Sequence, residues 1–137
     1  MAISVDEYRK LQEQCNREYT RVKHDEPEYR LQCQCVRWFY ENYPEHYIVA
    51  SANGGKRDKV TACKMMQSGV KAGEPDLKIG VARKGFHHLY IELKNGKKGK
   101  LSEEQKRMID YYKQQGCRVE VVRSFEEFVE LVTDYMN

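Results

Sequence analysis

The chain has 137 residues and a net charge of +3, with 33% of its residues charged and 40% hydrophobic. That length suits one domain with an ordinary core, and no run approaches the roughly 18 apolar residues of a membrane span. The N-terminal sequence MAISVDEYRK lacks the basic-then-apolar order of a signal peptide, so we expect an intracellular, cytoplasmic protein without a membrane partner.

The first third of the chain predicts two helices. Ser4 followed three residues later by Glu7 is a capping-box pattern, which predicts a polar first helix that is peripheral to the core. A second helix should begin at Pro27, because proline is favoured in the first helical turn. Its apolar stripe, which should face the core, consists of Leu31, Cys35, Trp38 and Phe39.

The middle of the chain predicts three strands and a short helix. HYIVAS, residues 46–51, is the first strand candidate. The connection after it is rich in glycine and basic residues, and it contains one helical stretch, Lys59 to Gln67. The segments DLKIGV (76–81) and HLYIEL (88–93) then predict two neighbouring strands.

The last third predicts a helix, a strand and a helix. Ser102 with Gln105 opens a helix that stops at Gly116, RVEVVR (118–123) is a strand, and Ser124 begins the last helix. We therefore predict an α/β fold with a single mixed β-sheet flanked by helices. The step from HLYIEL to RVEVVR should be a right-handed parallel crossover.

The cysteines and the charges bear on ligands. Five scattered cysteines without a C-x-x-C pair favour reduced thiols over a zinc site or a disulfide framework. Residues 53 to 100 hold twelve Lys or Arg against four Asp or Glu, whereas the rest of the chain holds twelve against seventeen. This local excess favours a polyanion such as nucleic acid as partner, although a solvated basic face is the ordinary alternative.

The two central strands each carry unusual charges on one face. Asp76 lies on the polar face of DLKIGV, and Glu92 and Lys94 share the polar face of the next strand. If a metal ion binds at Glu92, Lys94 is close enough to help deprotonate a water bound to that ion or to screen negative charge. An exposed Glu and Lys can also be a simple surface pair, and a register slip of one residue would remove Asp76 from the group.

The turn between these strands predicts their register. If a three-residue loop ends at Gly85, which takes the left-handed position, Leu77 pairs with Ile91. The same register sets Asp76 opposite Glu92, where like charges repel unless a cation or proton intervenes. One divalent ion bridging both carboxylates resolves the conflict, and such oxygen ligands suit Mg²⁺, with Mn²⁺ as a substitute.

These residues carry a family resemblance. GEPD at 73–76, followed after fifteen residues by ELK at 92–94, resembles the PD-(D/E)xK nuclease signature. The wider run SANGGKR, GVKAGEPDL, IELK, LSEEQ and VVRSFEEF is similar to the VRR-NUC (virus-type replication-repair nuclease) family, stand-alone type. The similarity covers roughly residues 26 to 132 of one nuclease domain, and the first helix, within residues 1–24, lies outside it. The resemblance implies a restriction-endonuclease-like core that hydrolyses DNA with Mg²⁺, in the cytoplasm of a bacterial or phage-infected cell.

The resemblance also implies roles for single residues. Asp76 and Glu92 would bind the metal with the Leu93 carbonyl, and Lys94 would be the catalytic lysine. Gly73 and Pro75 would shape the approach of Asp76, whereas Glu74 stands at a variable position and could be mistaken for a ligand.

Two further residues match the family outside the central strands. Glu28 matches a helical Glu that orients metal or water, although a first-turn acid is favoured in any helix and Glu26 is a nearby competitor. Gln105 matches a Gln that touches the site or the substrate backbone, and it is equally the third residue of a capping box with Ser102.

The resemblance implies a structure-selective endonuclease in replication, repair or recombination, which leaves 5′-phosphate and 3′-hydroxyl ends. Holliday junctions or other branched DNA are the expected substrates, and symmetric nicking of a junction requires a homodimer. The rival is a non-catalytic nucleic-acid-binding module. His87 and His88 are expected to be surface residues rather than metal ligands. The expected phosphate contacts are Lys56, Arg57, Lys59, Lys71, Lys97, Lys98 and Lys100.

Overall fold

The computed structural model of the protein describes residues 4–19, 27–52 and 58–137, with side chains described outside 15–19. Its elements are α1 (Val5–Tyr19), α2 (Pro27–Asn42), β1 (Ile48–Ala50), α3 (Lys59–Gln67), β2 (Leu77–Ile79), β3 (Leu89–Leu93), α4 (Glu103–Gln114), β4 (Arg118–Val122) and α5 (Phe125–Met136). Every predicted helix and strand is present, and the predicted α/β class is confirmed. Within the described ranges, no helix is long and apolar enough to cross a bilayer.

The four strands form one mixed sheet in the order β1-β2-β3-β4. The first two pairings are antiparallel, and β3 pairs with β4 in parallel through the crossover helix α4. A parallel pair needs such a long crossover because the chain must return to the same end of the sheet. The predicted parallel step is therefore confirmed.

Helices cover the sheet on both faces. On one face, Cys35 and Phe39 of α2 and Phe128 of α5 are fully buried against the strands, and Leu31 and Trp38 pack around them. The predicted apolar stripe of α2 is thus confirmed. On the other face α4 packs against β3 and β4, where Tyr90, Ile109 and Val119 form a smaller cluster. Strand β3 is buried along its whole length because it lies between these layers.

The predicted register of the hairpin is confirmed, since Leu77 pairs with Ile91. The predicted three-residue loop is wrong. Arg83 and Phe86 exchange backbone hydrogen bonds of 3.2 and 2.9 Å around a two-residue turn, and Lys84 (φ 53°) and Gly85 (φ 84°) both take left-handed conformations. Positive φ at both central residues is the requirement of a type I′ turn.

The register survives this shorter turn because the two arms of the hairpin differ in length. The outgoing chain from Ile79 to Arg83 contains one residue more than the returning chain from Phe86 to Leu89. An extra residue of this kind is accommodated as a bulge, which leaves the pairing beyond it intact.

The four cysteines whose side chains are described, Cys33, Cys35, Cys63 and Cys117, are free thiols, as expected.

Candidate active site

The acids predicted to meet do lie together beneath the first turn of α4. Glu92 is 2% exposed although it carries an ionisable carboxyl group, and Asp76 directly precedes β2 on the neighbouring strand. The Asp76 Oδ2 atom accepts a hydrogen bond of 2.7 Å from the backbone N–H of Leu93. This bond holds the Asp76 carboxylate against the end of β3, beside Glu92.

The Glu92 carboxylate is only half satisfied. Its Oε1 atom accepts a hydrogen bond of 2.8 Å from Gln105 Nε2, whereas Oε2 is buried and has no hydrogen-bond partner within the described part of the chain. Burial, followed by the negative charge of Asp76, raises the pKa of Glu92 to about 8. Burial also raises the pKa of Asp76. Two acceptors that crowd in this way call for a proton or a cation between them.

Gln105 has both of the roles that its sequence context allowed. Its Oε1 atom accepts a hydrogen bond of 2.9 Å from the backbone N–H of Ser102, and the Ser102 hydroxyl accepts one of 3.1 Å from the Gln105 backbone N–H. This is the predicted capping box of α4. Because the amide oxygen is occupied by the helix cap, the amide NH₂ group must point the other way, toward Glu92.

The approach to Asp76 depends on Gly73. This residue has a φ of 84°, and a Cβ atom built on it would lie 2.4 Å from the carbonyl carbon and oxygen of Glu104. The chain before Asp76 therefore packs directly on the backbone of the first turn of α4. Glu74 is not part of the acid pair, because its carboxylate accepts hydrogen bonds of 2.9 and 2.6 Å from the Tyr112 hydroxyl.

Lys94 follows β3 directly and is half-buried. Its positive charge opposes the rise in the pKa of both Asp76 and Glu92, but it forms no ion pair with any acid in the described ranges. The stem of Lys94 packs on Gly99, where an added Cβ atom would lie 3.1 Å from the Lys94 Cβ. The ammonium group thus lies within electrostatic reach of the acids and is not neutralised by them.

The loop that follows Lys94 is anchored from two elements. Glu28, in the first turn of α2, accepts a hydrogen bond of 3.2 Å at Oε1 from the backbone N–H of Asn95. Arg123, after β4, donates two hydrogen bonds of 2.8 Å each to the carbonyl oxygens of Gly96 and Gly99. Neither Asn95 nor Arg123 was predicted as part of the site, because no local pattern reveals contacts between such distant segments.

Glu28 lies near the pair but outside it. Its negative charge contributes to the raised pKa of Asp76 and of Glu92, so it faces the same region. Across the ranges that the structure covers, no three His, Cys, Asp or Glu side chains converge as a set of metal ligands. The chain therefore brings two carboxylates together, with Glu28 further away and bound to Asn95. The competitor Glu26 lies outside the described residues.

The donor set fits a hard divalent cation. Mg²⁺ is commonly held by one or two carboxylates and keeps water or phosphate in its other positions. An ion bound between the Asp76 carboxylate and the Glu92 Oε2 atom would remove the repulsion between the two acids. It would also give Oε2 the partner that it lacks among the described residues. The Leu93 carbonyl, next in the chain, is the third oxygen that the resemblance implies.

The predicted phosphate-binding residues are distributed around this pair in the sequence. Lys59 belongs to the exposed helix α3, Lys71 lies in the exposed connection before Gly73, and the remaining described lysines lie in the loop after Lys94. Lys56 and Arg57 lie outside the described residues. His87 is exposed and His88 is half-buried at the far end of β3. The members of the predicted set that the structure describes are all exposed, namely Lys59, Lys71, Lys97, Lys98 and Lys100.

Comparisons with known proteins point to one family. The family model described as VRR-NUC domain matches residues 6–126, from the first turn of α1 to that of α5. A solved structure described as "VRR_NUC domain protein" is similar to this chain with a TM-score of 0.71 and 26% identity, and the similarity covers 83% of this chain and 91% of the other. No curated protein gave a match.

Proposed function

Because this chain belongs to the VRR-NUC domain family, a family of nucleases, we propose that it is a metal-dependent DNA nuclease that hydrolyses phosphodiester bonds. The observation that supports this most strongly is the unsatisfied, buried Oε2 atom of Glu92 beside the Asp76 carboxylate, with Lys94 two residues further on. A protein that only bound DNA would gain nothing from two buried carboxylates that repel each other and the phosphates.

Asp76 and Glu92 would hold one Mg²⁺, with Mn²⁺ as a substitute and with the Leu93 carbonyl as a further ligand. When bound, the ion would supply Lewis acidity and neutralise negative charge on the phosphate. Gln105 occupies Oε1 of Glu92 and so leaves Oε2 for the ion.

The remaining chemistry belongs to Lys94. Its ammonium group would orient the attacking water and stabilise the negative charge that develops on the phosphoryl oxygens. Water adds to phosphorus while the bond to the 3′ oxygen breaks. The products are a 5′-phosphate and a 3′-hydroxyl. Glu28, which is bound to the loop after Lys94, would position that loop and the water rather than ligate the metal.

The substrate we propose is branched DNA, with the Holliday junction as the leading case, processed by a homodimer in replication, repair or recombination. Exposed lysines occur on the segments before Asp76 and after Lys94. They would bind phosphates on both sides of the cleaved bond, and these contacts would supply much of the affinity.

The test is cleavage of labelled junction, flap and duplex DNA, with and without Mg²⁺, by the wild type and by Glu92→Gln and Lys94→Ala. We expect Mg²⁺-dependent cleavage by the wild type and a loss of at least about 100-fold in each variant. Lys113→Ala, on the exposed last turn of α4, is the matched control and should cut normally.

Three outcomes separate the alternatives. Binding without cleavage of any substrate by the wild type would favour the non-catalytic module. Normal cleavage by both site variants would show that the site lies elsewhere. Light scattering after size exclusion tests the homodimer, since a monomer at working concentration contradicts junction resolution by two sites.

A further inference from the structure

Among the described residues, helix α4 covers only one half of the sheet face that carries the acids. Helix α4 covers this face over β3 and β4, where Tyr90 and Val119 are buried. On β1 and β2 the corresponding positions are Val49 and Lys78, which pair with each other; Val49 is 52% exposed and Lys78 is half-buried. A cavity of about 340 Å³ opens there. Its lining includes Val49, Val70, Pro75, Lys78, Met108 and Tyr112.

The cavity lies beside the chain segments that hold Asp76. Pro75, in its wall, directly precedes Asp76, and Lys78 follows Asp76 by two residues on the same face of the strand. Ser51, also in the lining, donates a backbone hydrogen bond of 2.9 Å to the Asp76 carbonyl oxygen. A nucleotide in the cavity would therefore be a near neighbour of a phosphate held at Asp76.

Much of the wall is apolar or aromatic, although Lys71 and Glu74 also line it. The Tyr112 ring stacks on Tyr90 with a centroid separation of 4.0 Å and an interplanar angle of 15°. Its hydroxyl is bound to Glu74, and Met108 lies one turn earlier on the same helix. A flat apolar ring is the ligand that such walls accept with little reorganisation.

Lys78 contributes a positive charge to the wall of the cavity. Lys78 makes no ion pair with any acid within the ranges covered by the structure. A half-buried ammonium group next to an apolar cavity fits a ligand that combines a flat ring with a nearby negative charge. A nucleobase with its own phosphate has this combination. The volume lies near the lower end of the roughly 300–1,000 Å³ of small-ligand pockets, which suits a single nucleotide.

We propose that this cavity receives one unstacked nucleobase of the DNA strand next to the cleaved bond, and that Lys78 binds the phosphate of that nucleotide. The inference rests on the proposed nuclease function and gives it a source of structure selectivity. Taking a base out of a duplex costs a few kcal/mol, and the cost is least where the base is already unpaired. The cavity would therefore favour branch points and strand ends over continuous duplex.

The first arm of the test combines a substitution that fills the cavity with DNA from which a single base has been removed. Val49→Trp adds an indole on the exposed cavity floor, and Thr133→Trp adds one on the exposed side of α5 as the matched control. Kd is measured by fluorescence anisotropy with Ca²⁺ in place of Mg²⁺. The DNA is a flap on which one abasic nucleotide is moved, position by position, through the branch point.

For the wild type and Thr133→Trp, we expect one abasic position to weaken binding by about tenfold, since stacking of one base is worth about 1–3 kcal/mol. Val49→Trp should bind intact DNA about tenfold more weakly and be insensitive to the abasic nucleotide everywhere. The proposal is overturned if no position matters for the wild type, or if Val49→Trp responds to the abasic nucleotide as the wild type does.

Lys78→Gln is the second arm, and it does not depend on filling the cavity. Loss of one phosphate contact should reduce the slope of log Kd against log salt concentration by about one, whereas the exposed Lys113→Gln should leave it unchanged. An unchanged slope for Lys78→Gln overturns the phosphate contact.

The two proposals can fail separately. Binding that shows the abasic effect without any Mg²⁺-dependent cleavage would refute the nuclease and keep the cavity assignment. Cleavage without the abasic effect would refute the cavity assignment and keep the nuclease.

Discussion

Replacing Gly73 by alanine should damage both stability and catalysis, and Gly85→Ala is its matched control. The two glycines have the same φ of 84°. Around Gly85 an added Cβ atom would meet nothing within 4 Å, whereas at Gly73 it would lie 2.4 Å from the backbone of Glu104 and 2.8 Å from the backbone nitrogen of Gln105. The pair separates the cost of the left-handed conformation from the cost of the collision.

The magnitudes follow from these distances. A left-handed conformation costs a residue with a side chain about 1–2 kcal/mol, which both variants incur. At Gly73 the first turn of α4 must also retreat by about 1 Å to reach ordinary contact, and overpacking of this kind adds about 1–3 kcal/mol. We expect the free energy of unfolding, measured in urea, to fall by about 1–2 kcal/mol for Gly85→Ala and by about 2–5 kcal/mol for Gly73→Ala.

The same retreat should separate Gln105 from Glu92. Their hydrogen bond is 2.8 Å long, so a shift of about 1 Å breaks it. Misplacement by about 1 Å can cost on the order of 100-fold in rate, so kcat/KM for Mg²⁺-dependent cleavage should fall by that factor for Gly73→Ala and stay unchanged for Gly85→Ala. Equal losses of stability in the two variants would refute the close approach, and full activity of folded Gly73→Ala would refute the coupling through Gln105.

Three further results are expected. Without metal, the raised pKa of Glu92 makes the folded protein hold a proton that the unfolded chain releases. The contribution of this group to stability is therefore complete below about pH 4.5 and falls by up to about 4 kcal/mol as the pH rises to about 8. Glu92→Gln should remove this part of the pH dependence in urea titrations, and an unchanged slope contradicts it. Mg²⁺ should raise the melting temperature of the wild type near pH 8 and have little effect on Glu92→Gln, whereas equal shifts would place the ion elsewhere. Arg123→Met should cost about 1–2 kcal/mol and speed amide exchange across residues 95–100, whereas exposed Arg107→Met should not, and unchanged exchange would show that the loop does not depend on Arg123.

The hairpin shows how far sequence reasoning can reach. Alternation of apolar residues determines which face of each strand is buried, and the assumed loop ending at Gly85 then placed Leu77 opposite Ile91, as observed. The turn was not predictable in the same way, because a lysine at positive φ is uncommon and Lys84 gave no local sign of it. The extra residue between Ile79 and Arg83 compensated for the wrong loop length, so the predicted pairing of Leu77 with Ile91 was still correct.

The surroundings of the acids were less accessible to prediction. Glu28 could be placed in the first turn of a helix, but its bond to Asn95 depends on how α2 packs across the sheet. The contacts of Arg123 with Gly96 and Gly99 likewise join segments whose proximity only the parallel pairing of β3 and β4 creates. The open cavity beside Lys78 arises because α4 covers half of one face, and element order alone does not predict that coverage.

Gln105 serves both the helix cap with Ser102 and the carboxyl group of Glu92, and this double role limits which amino acids can replace it. A capping box is ordinarily completed by either glutamate or glutamine. Here glutamate would still accept the N–H of Ser102, but it would bring a third negative charge against Glu92 and offer no donor to it. Only glutamine starts the helix and supports the acid at once, so a substitution that is neutral for helix formation elsewhere would be costly at this position.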